Sequence, residues 1–125
     1  MRRRFPATKF VGELQGKALA AHLAAADVFV FPSRTDTFGI VQLEALACGV
    51  PVAAYPVTGP RDVIGNNPVG VLDDDLSAAC LAALKVSREA CRVFALAHSW
   101  ENSARQFLAH ASRIATGGAR WPHAA

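Results

Sequence analysis

The chain has 125 residues, 52% of them hydrophobic and 18% charged, with a net charge of +3 and a pI near 9.1. That length and apolar content suit one globular α/β domain and exclude disorder. No apolar run is long enough to cross a bilayer, the basic start MRRRFPATKF lacks the hydrophobic stretch of a secretory signal, and the mild charge lacks the aromatic-basic interleaving of a nucleic-acid platform.

Arg2, Arg3 and Arg4 read as a solvated basic terminus. Lys9-Phe-Val-Gly12 reads as a short strand closed by glycine, and Lys17 to Ala26 (KALAAHLAAA) as a helix by propensity. Val28 to Phe31 is a short buried strand stopped by Pro32. A helix is expected from about Gly39 to Cys48, with Gly49 as its natural terminator. Pro51 to Tyr55 is the next strand, with proline at the first position, where a strand tolerates it. After a loop from Pro56 to Pro60, Arg61 to Ile64 reads as a short helical turn and Val69 to Leu72 as a weak strand. Asp75 or Ser77 then caps a helix to about Val86, Ser87 a second to about Ala97, and Ser99 a third from Trp100 to about Ile114. The end, ATGGARWPHAA, reads as frayed, with Trp121 in the tail.

Cys48, Cys80 and Cys91 are odd in number and wrongly spaced for a zinc site, so they read as buried, reduced thiols. His22, His98, His110 and His123 are scattered and form no ligand cluster. Asp73-Asp-Asp75 spells an Asp-x-Asp metal motif, but between a strand and a helix it reads as a helix cap. Arg88, Arg92 and Arg105 read as exposed helix faces and Trp100 as a packing residue. Ser33 has no candidate base beside it, which argues against a nucleophile.

Short buried strands alternating with helices imply a parallel sheet, with ligands beyond the carboxyl ends of its strands. Phe31 is such an end, so the loop from Ser33 to Phe38 lies where a ligand would sit. The helix opening near Gly39 aims its first amides and its dipole at the same place, a ready site for an anion. Glu44 is the only charged residue between Thr37 and Pro60, and a carboxylate kept in IVQLEALAC implies something for it to bind. One turn along the helix, it could accept hydrogen bonds from a ribose diol. Asp36 stands eight residues earlier, so two acids bracket the helix start. Arg34 reads either as a solvated loop residue or as one able to reach a phosphate.

The run Pro32-Ser33, Asp36-Thr37-Phe38-Gly39, Glu44-Ala45, Ala47-Cys48-Gly49-Val50-Pro51-Val52 resembles the donor-binding segment of GT-B glycosyltransferases of the retaining family 4. Flanking pieces agree: Phe10-Val-Gly12, Leu23 to Ser33, Thr58-Gly59-Pro60-Arg61-Asp62-Val63-Ile64, and His98-Ser99-Trp100-Glu101. The resemblance covers roughly residues 5 to 110. It implies an α/β fold: a Rossmann-like parallel sheet with flanking helices, the incomplete carboxyl-terminal half of a GT-B enzyme. Residues 1–116 would be a partial donor domain and 117–125 a disordered tail.

By the same resemblance, Asp36 is the catalytic acid that contacts the donor sugar. Ser33, Thr37, Phe38, Gly39, Ile40 and Val41 hold sugar and diphosphate, and Glu44 binds the ribose hydroxyls. The family's first acid is usually glutamate, so Asp36 reaches one methylene less far. The implied activity is transfer of a hexosyl or mannosyl group from a UDP- or GDP-activated sugar to a lipid or glycan acceptor. No cofactor, metal or nucleic acid is implied. The expected place is the cytoplasm, with a peripheral position at the inner membrane face left open for the whole enzyme. The acceptor-side domain, the first two strands and the basic pair that neutralises the leaving diphosphate have no counterpart here, so the chain reads as a fragment inactive by itself. A non-catalytic remnant and a fragment of a GT-B nucleotide-sugar epimerase are the alternatives.

Overall fold

The computed structural model describes residues 3–116; Arg2, Trp121, His123 and the expected tail 117–125 lie outside that range. Three strands, β1 (Phe29–Phe31), β2 (Val52–Ala54) and β3 (Gly70–Leu72), form a parallel sheet in that order. Phe29 is opposite Val52 and Val52 opposite Gly70. Helices α1 (Gly16–Ala24), α2 (Ile40–Ala47), α3 (Thr58–Val63), α4 (Leu76–Ala83), α5 (Arg88–Ala97) and α6 (Trp100–Thr116) flank or follow it. The Rossmann-like α/β architecture is therefore as the sequence implied.

The central strand shows how the layers assemble. Successive residues of a strand face opposite sides of a sheet. Val52 and Ala54 meet one cluster with Ala45 and Leu46 of α2 and Cys91 and Ala95 of α5, while Ala53 meets Ala79 and Ala83 of α4. All of β2 is buried, as the middle strand of a parallel sheet covered on both faces must be. Ala53, Ala79 and Ala83 are small at one contact, which lets α4 sit close to the sheet. Gly70 has a related cause: a Cβ there would stand 2.6 Å from the backbone oxygen of Val52 on the neighbouring strand.

Helix ends are fixed by the expected chemistry. Asp75 accepts from the amides of Ser77 (2.9 Å) and Ala78 (3.1 Å), so Asp75 rather than Ser77 is the cap of α4. Ser87 and Ser99 accept from Ala90 and Asn102 at the starts of α5 and α6. Gly49 closes α2 with φ +72°: its amide reaches Leu46 O and the Val50 amide reaches Ala45 O, both at 2.9 Å, the paired bonds of a Schellman end.

Several expectations need correction. Lys9 to Gly12 is irregular, with Gly12 at φ +76°, and no described strand lies beside it to supply a ladder. The short turn expected at Arg61 to Ile64 begins earlier, at Thr58. Of the thiols only Cys91 is buried; Cys48 and Cys80 are half-buried. Trp100 is 81% exposed, and Phe107 and Leu108 also face outward, so α6 shows an apolar stripe to solvent. Arg88 is more than an exposed face: its guanidinium donates to Ala26 O and Ala24 O, both at 2.7 Å, and so caps the carboxyl end of α1. Arg105 pairs with Glu101 at 3.2 Å on the outside of α6. Among the described residues no helix is long and apolar enough to cross a membrane.

Candidate functional site: the carboxyl end of the sheet and the start of α2

The loop after β1 carries the candidate acids. Asp36 is half-buried, and its Oδ1 accepts from the Phe38 amide at 2.9 Å, an Asx turn that folds the loop toward α2. Its backbone oxygen accepts from the Gly59 amide at 3.2 Å, which ties the loop to the start of α3. A Cβ on Gly59 would stand 3.0 Å from Asp36 O and 3.1 Å from Phe38 N. Glycine is thus what lets α3 press against the Asp36 turn.

Gly39 opens α2 in the left-handed region, at φ +70°. It has no side chain to cap the helix, and the first turn holds no acid. The early amides of α2 and its positive dipole end are left for an outside acceptor. Thr37, Phe38 and Ile40 are exposed there, and Ser33 and Val41 are half-buried.

Helical spacing then divides α2. Gln42, Ala45 and Leu46 turn inward and are buried. Ile40, Leu43, Glu44 and Ala47 form the other stripe, which lines a cavity of about 490 Å³ against Leu96, His98 and Trp100 at the α5–α6 turn. Glu44 is exposed on that wall and not in the core. Phe38, Ile40 and Glu44 therefore share one cavity, whereas Ser33, Asp36, Thr37, Gly39 and Val41 are not on its lining. His98 sits on the same wall with Nδ1 2.8 Å from Phe94 O. A carbonyl only accepts, so Nδ1 carries the proton.

Three residues were given no individual role from the sequence. Gln42 is wholly buried, and neither polar atom of its amide has a hydrogen-bond partner among the described residues. Its Nε2 lies under Gly39, where a Cβ would collide with it. Gly59 is the second: the sequence placed it in the flanking resemblance, and its neighbours' backbone atoms show what the glycine is for. Tyr55, directly after β2, is the third: the Arg34 guanidinium lies 3.8 Å from its ring centroid. The position of Gln42, three and four residues before Ala45 and Leu46 on the inward stripe, was available from spacing alone. Among the described residues no three His, Cys, Asp or Glu side chains are grouped to hold a metal ion, and Asp75 is engaged as a cap.

Residues 6–107 match the family described as glycosyl transferases group 1. The chain belongs to that family. A D-inositol 3-phosphate glycosyltransferase of Geodermatophilus obscurus is 38% identical over 109 residues, covering 81% of this chain and 24% of that protein. A GDP-mannose-dependent alpha-mannosyltransferase of Mycolicibacterium smegmatis is 48% identical over 69 residues, covering 55% of this chain and 18% of that protein. The group 1 chain thus spans about a quarter or less of the length of these curated relatives. The matched stretch contains both Asp36 and Glu44, and the GT-B resemblance and the glycosyltransferase family agree.

Proposed function

We propose that this chain is the donor-binding part of a retaining, family 4 type glycosyltransferase that uses a UDP- or GDP-activated sugar. The observation that carries the reading is Glu44 on the wall of a cavity, one turn from an uncapped helix start, in a chain of this family. The early amides of α2 would hold the diphosphate and stabilise the negative charge that grows on it as the glycosidic bond breaks. Glu44 would accept hydrogen bonds from the ribose diol. Asp36, fixed by the Phe38 amide and braced by Gly59, would receive the sugar hydroxyls. The names of the two relatives support a phosphorylated inositol acceptor and a mannosyl donor within the hexosyl transfer to a lipid or glycan acceptor that the resemblance implies. No divalent metal takes part in this scheme. The free thiols suit a reducing compartment such as the cytoplasm.

Titration calorimetry of the chain with UDP and GDP tests the reading. We expect binding of at least one, at least about tenfold weaker in Glu44→Ala, since each hydrogen bond to a charged group is worth about 1.5–3 kcal/mol. Asp36→Ala should leave the free nucleotide's affinity nearly unchanged and weaken only the sugar-bearing donor. Equal losses in both variants would contradict the roles assigned. Tight, stoichiometric manganese binding that disappears in Asp73→Asn and Asp75→Asn would overturn the metal-free scheme. The 125-residue chain by itself should give binding without transfer; measurable turnover would refute that part.

A further inference from the structure

Arg34 and Tyr55 lie outside the roles assigned above. They come from adjacent strands: Phe31 and Ala54 are register partners, Tyr55 directly follows Ala54, and Arg34 is three residues beyond Phe31. Both therefore stand above the carboxyl end of the sheet, on the loops joined by the Gly59-to-Asp36 bond. The guanidinium is 3.8 Å from the Tyr55 ring centroid. The cation thus rests over the ring, while the arginine as a whole is exposed. Among the described residues its N–H groups have no hydrogen-bond or ion-pair partner, although Asp36 is only two positions away and its Oδ1 is taken by the Phe38 amide.

A guanidinium held over an aromatic ring by cation–π attraction has less rotamer freedom to lose when it meets a ligand. Its N–H edge is then a planar fork matched to two oxygens of a tetrahedral anion. A lysine would not reproduce this, because its ammonium is a point charge without a stacking face. The position next to sugar-facing Asp36 calls for an anionic group carried by the same ligands.

We propose that Arg34, held by Tyr55, is a phosphoryl-binding group at the carboxyl end of the sheet. The phosphoryl group is either the diphosphate of the donor or a phosphate monoester on the acceptor. The proposal rests on the donor-binding reading for its ligands, though not for its geometry. Tyr55 is a positioning residue: it orients the guanidinium and does not itself take the anion.

Side-chain NMR of the arginine Nε–H groups in the ¹⁵N-labelled chain tests it directly. The Arg34 signal, assigned by its loss in Arg34→Gln, should carry a ring-current shift that Tyr55→Leu removes. It should move saturably on addition of pyrophosphate, UDP or GDP if the donor is the source. It should move with inositol 3-phosphate, and not with inositol, if the acceptor is the source. Arg34→Lys should weaken the responsive ligand about tenfold, as Arg34→Gln does, and Tyr55→Leu by less. Either arm supports the proposal. An Arg34 signal unmoved by every phosphate ligand at millimolar concentration overturns it, and so does Arg34→Gln binding them all as tightly as the unmodified chain. Failure of UDP and GDP to bind, with inositol 3-phosphate still shifting Arg34, would count against the donor-binding reading and leave this one standing.

Discussion

Replacing Gly59 with alanine should loosen the Asp36 turn with both acidic side chains kept. The added Cβ would stand 3.0 Å from Asp36 O and 3.1 Å from Phe38 N, where ordinary contact begins near 3.4 Å. Both neighbours are backbone atoms, so relief requires the loop or α3 to shift by a few tenths of an ångström. Overpacking of this kind costs about 1–3 kcal/mol. Stretching the Gly59 amide away from Asp36 O, already 3.2 Å, forfeits part of a hydrogen bond worth about 0.5–1.5 kcal/mol. Opposing these is the helical preference of alanine over glycine, about 0.5–1 kcal/mol in a helix interior and less in the first turn of α3. The clash should win, with a net loss of about 1–2 kcal/mol in urea unfolding at 25 °C. Affinity for the sugar-bearing donor should fall further than affinity for the free nucleotide, because the displaced turn carries Asp36. An alanine variant that is as stable as the original, or more so, would show that propensity outweighs contact and that α3 does not brace the loop.

Two further outcomes follow from other positions. Gly49→Ala should cost about 1–3 kcal/mol, because φ is +72° and a Cβ would meet Arg88 O at 3.2 Å; thermal or urea unfolding checks this, and a neutral result would mean that the α2–α5 contact yields freely. Cys91 should resist alkylation at pH 8 while Cys48 and Cys80 react, because burial raises its thiol above the ordinary 9.0 against smaller lowering by a backbone hydrogen bond and by Arg88. The same shift has a pH consequence. The unfolded thiol ionises first, so the contribution to stability is intact below about pH 9 and is lost as pH climbs toward the higher folded value. Unfolding midpoints of the original chain and Cys91→Ala should converge over that range.

Much of the architecture was legible because it rests on local signals. Pro32, Gly49, Asp75, Ser87 and Ser99 mark element ends by their own chemistry, and the apolar runs between them fix the strands. What escaped depends on partners distant in the chain. Phe10-Val-Gly12 has strand composition, but a strand exists only where a neighbour supplies the ladder, and none of the described strands does. Arg88 looks like any surface arginine until α1 arrives beneath it. At the site, the charge of Glu44 stood out in the sequence and the structure puts it on an open wall, whereas the buried polar group of α2 is the uncharged Gln42. A neutral amide is easily overlooked in an apolar run, yet burying it without partners costs about 1–3 kcal/mol. Tyr55 and Gly59 matter through neighbours on another strand and loop, which no local pattern encodes.

The bonds from Arg88 to Ala24 and Ala26 also bear on the order in which the chain assembles. Helix α1 contains no buried residue, and only Leu23 leans on the core. Its anchor is 62 to 64 positions later in the sequence. Helix α1 therefore leaves the ribosome before α5 and gains these bonds only once Arg88 has followed it and α5 has docked on α2. Closing so long a loop adds little entropic cost per extra residue, but the contact cannot form before both ends exist. In the finished domain the same dependence makes α1 a separate opening unit, whose amides should exchange with solvent well before those of β2.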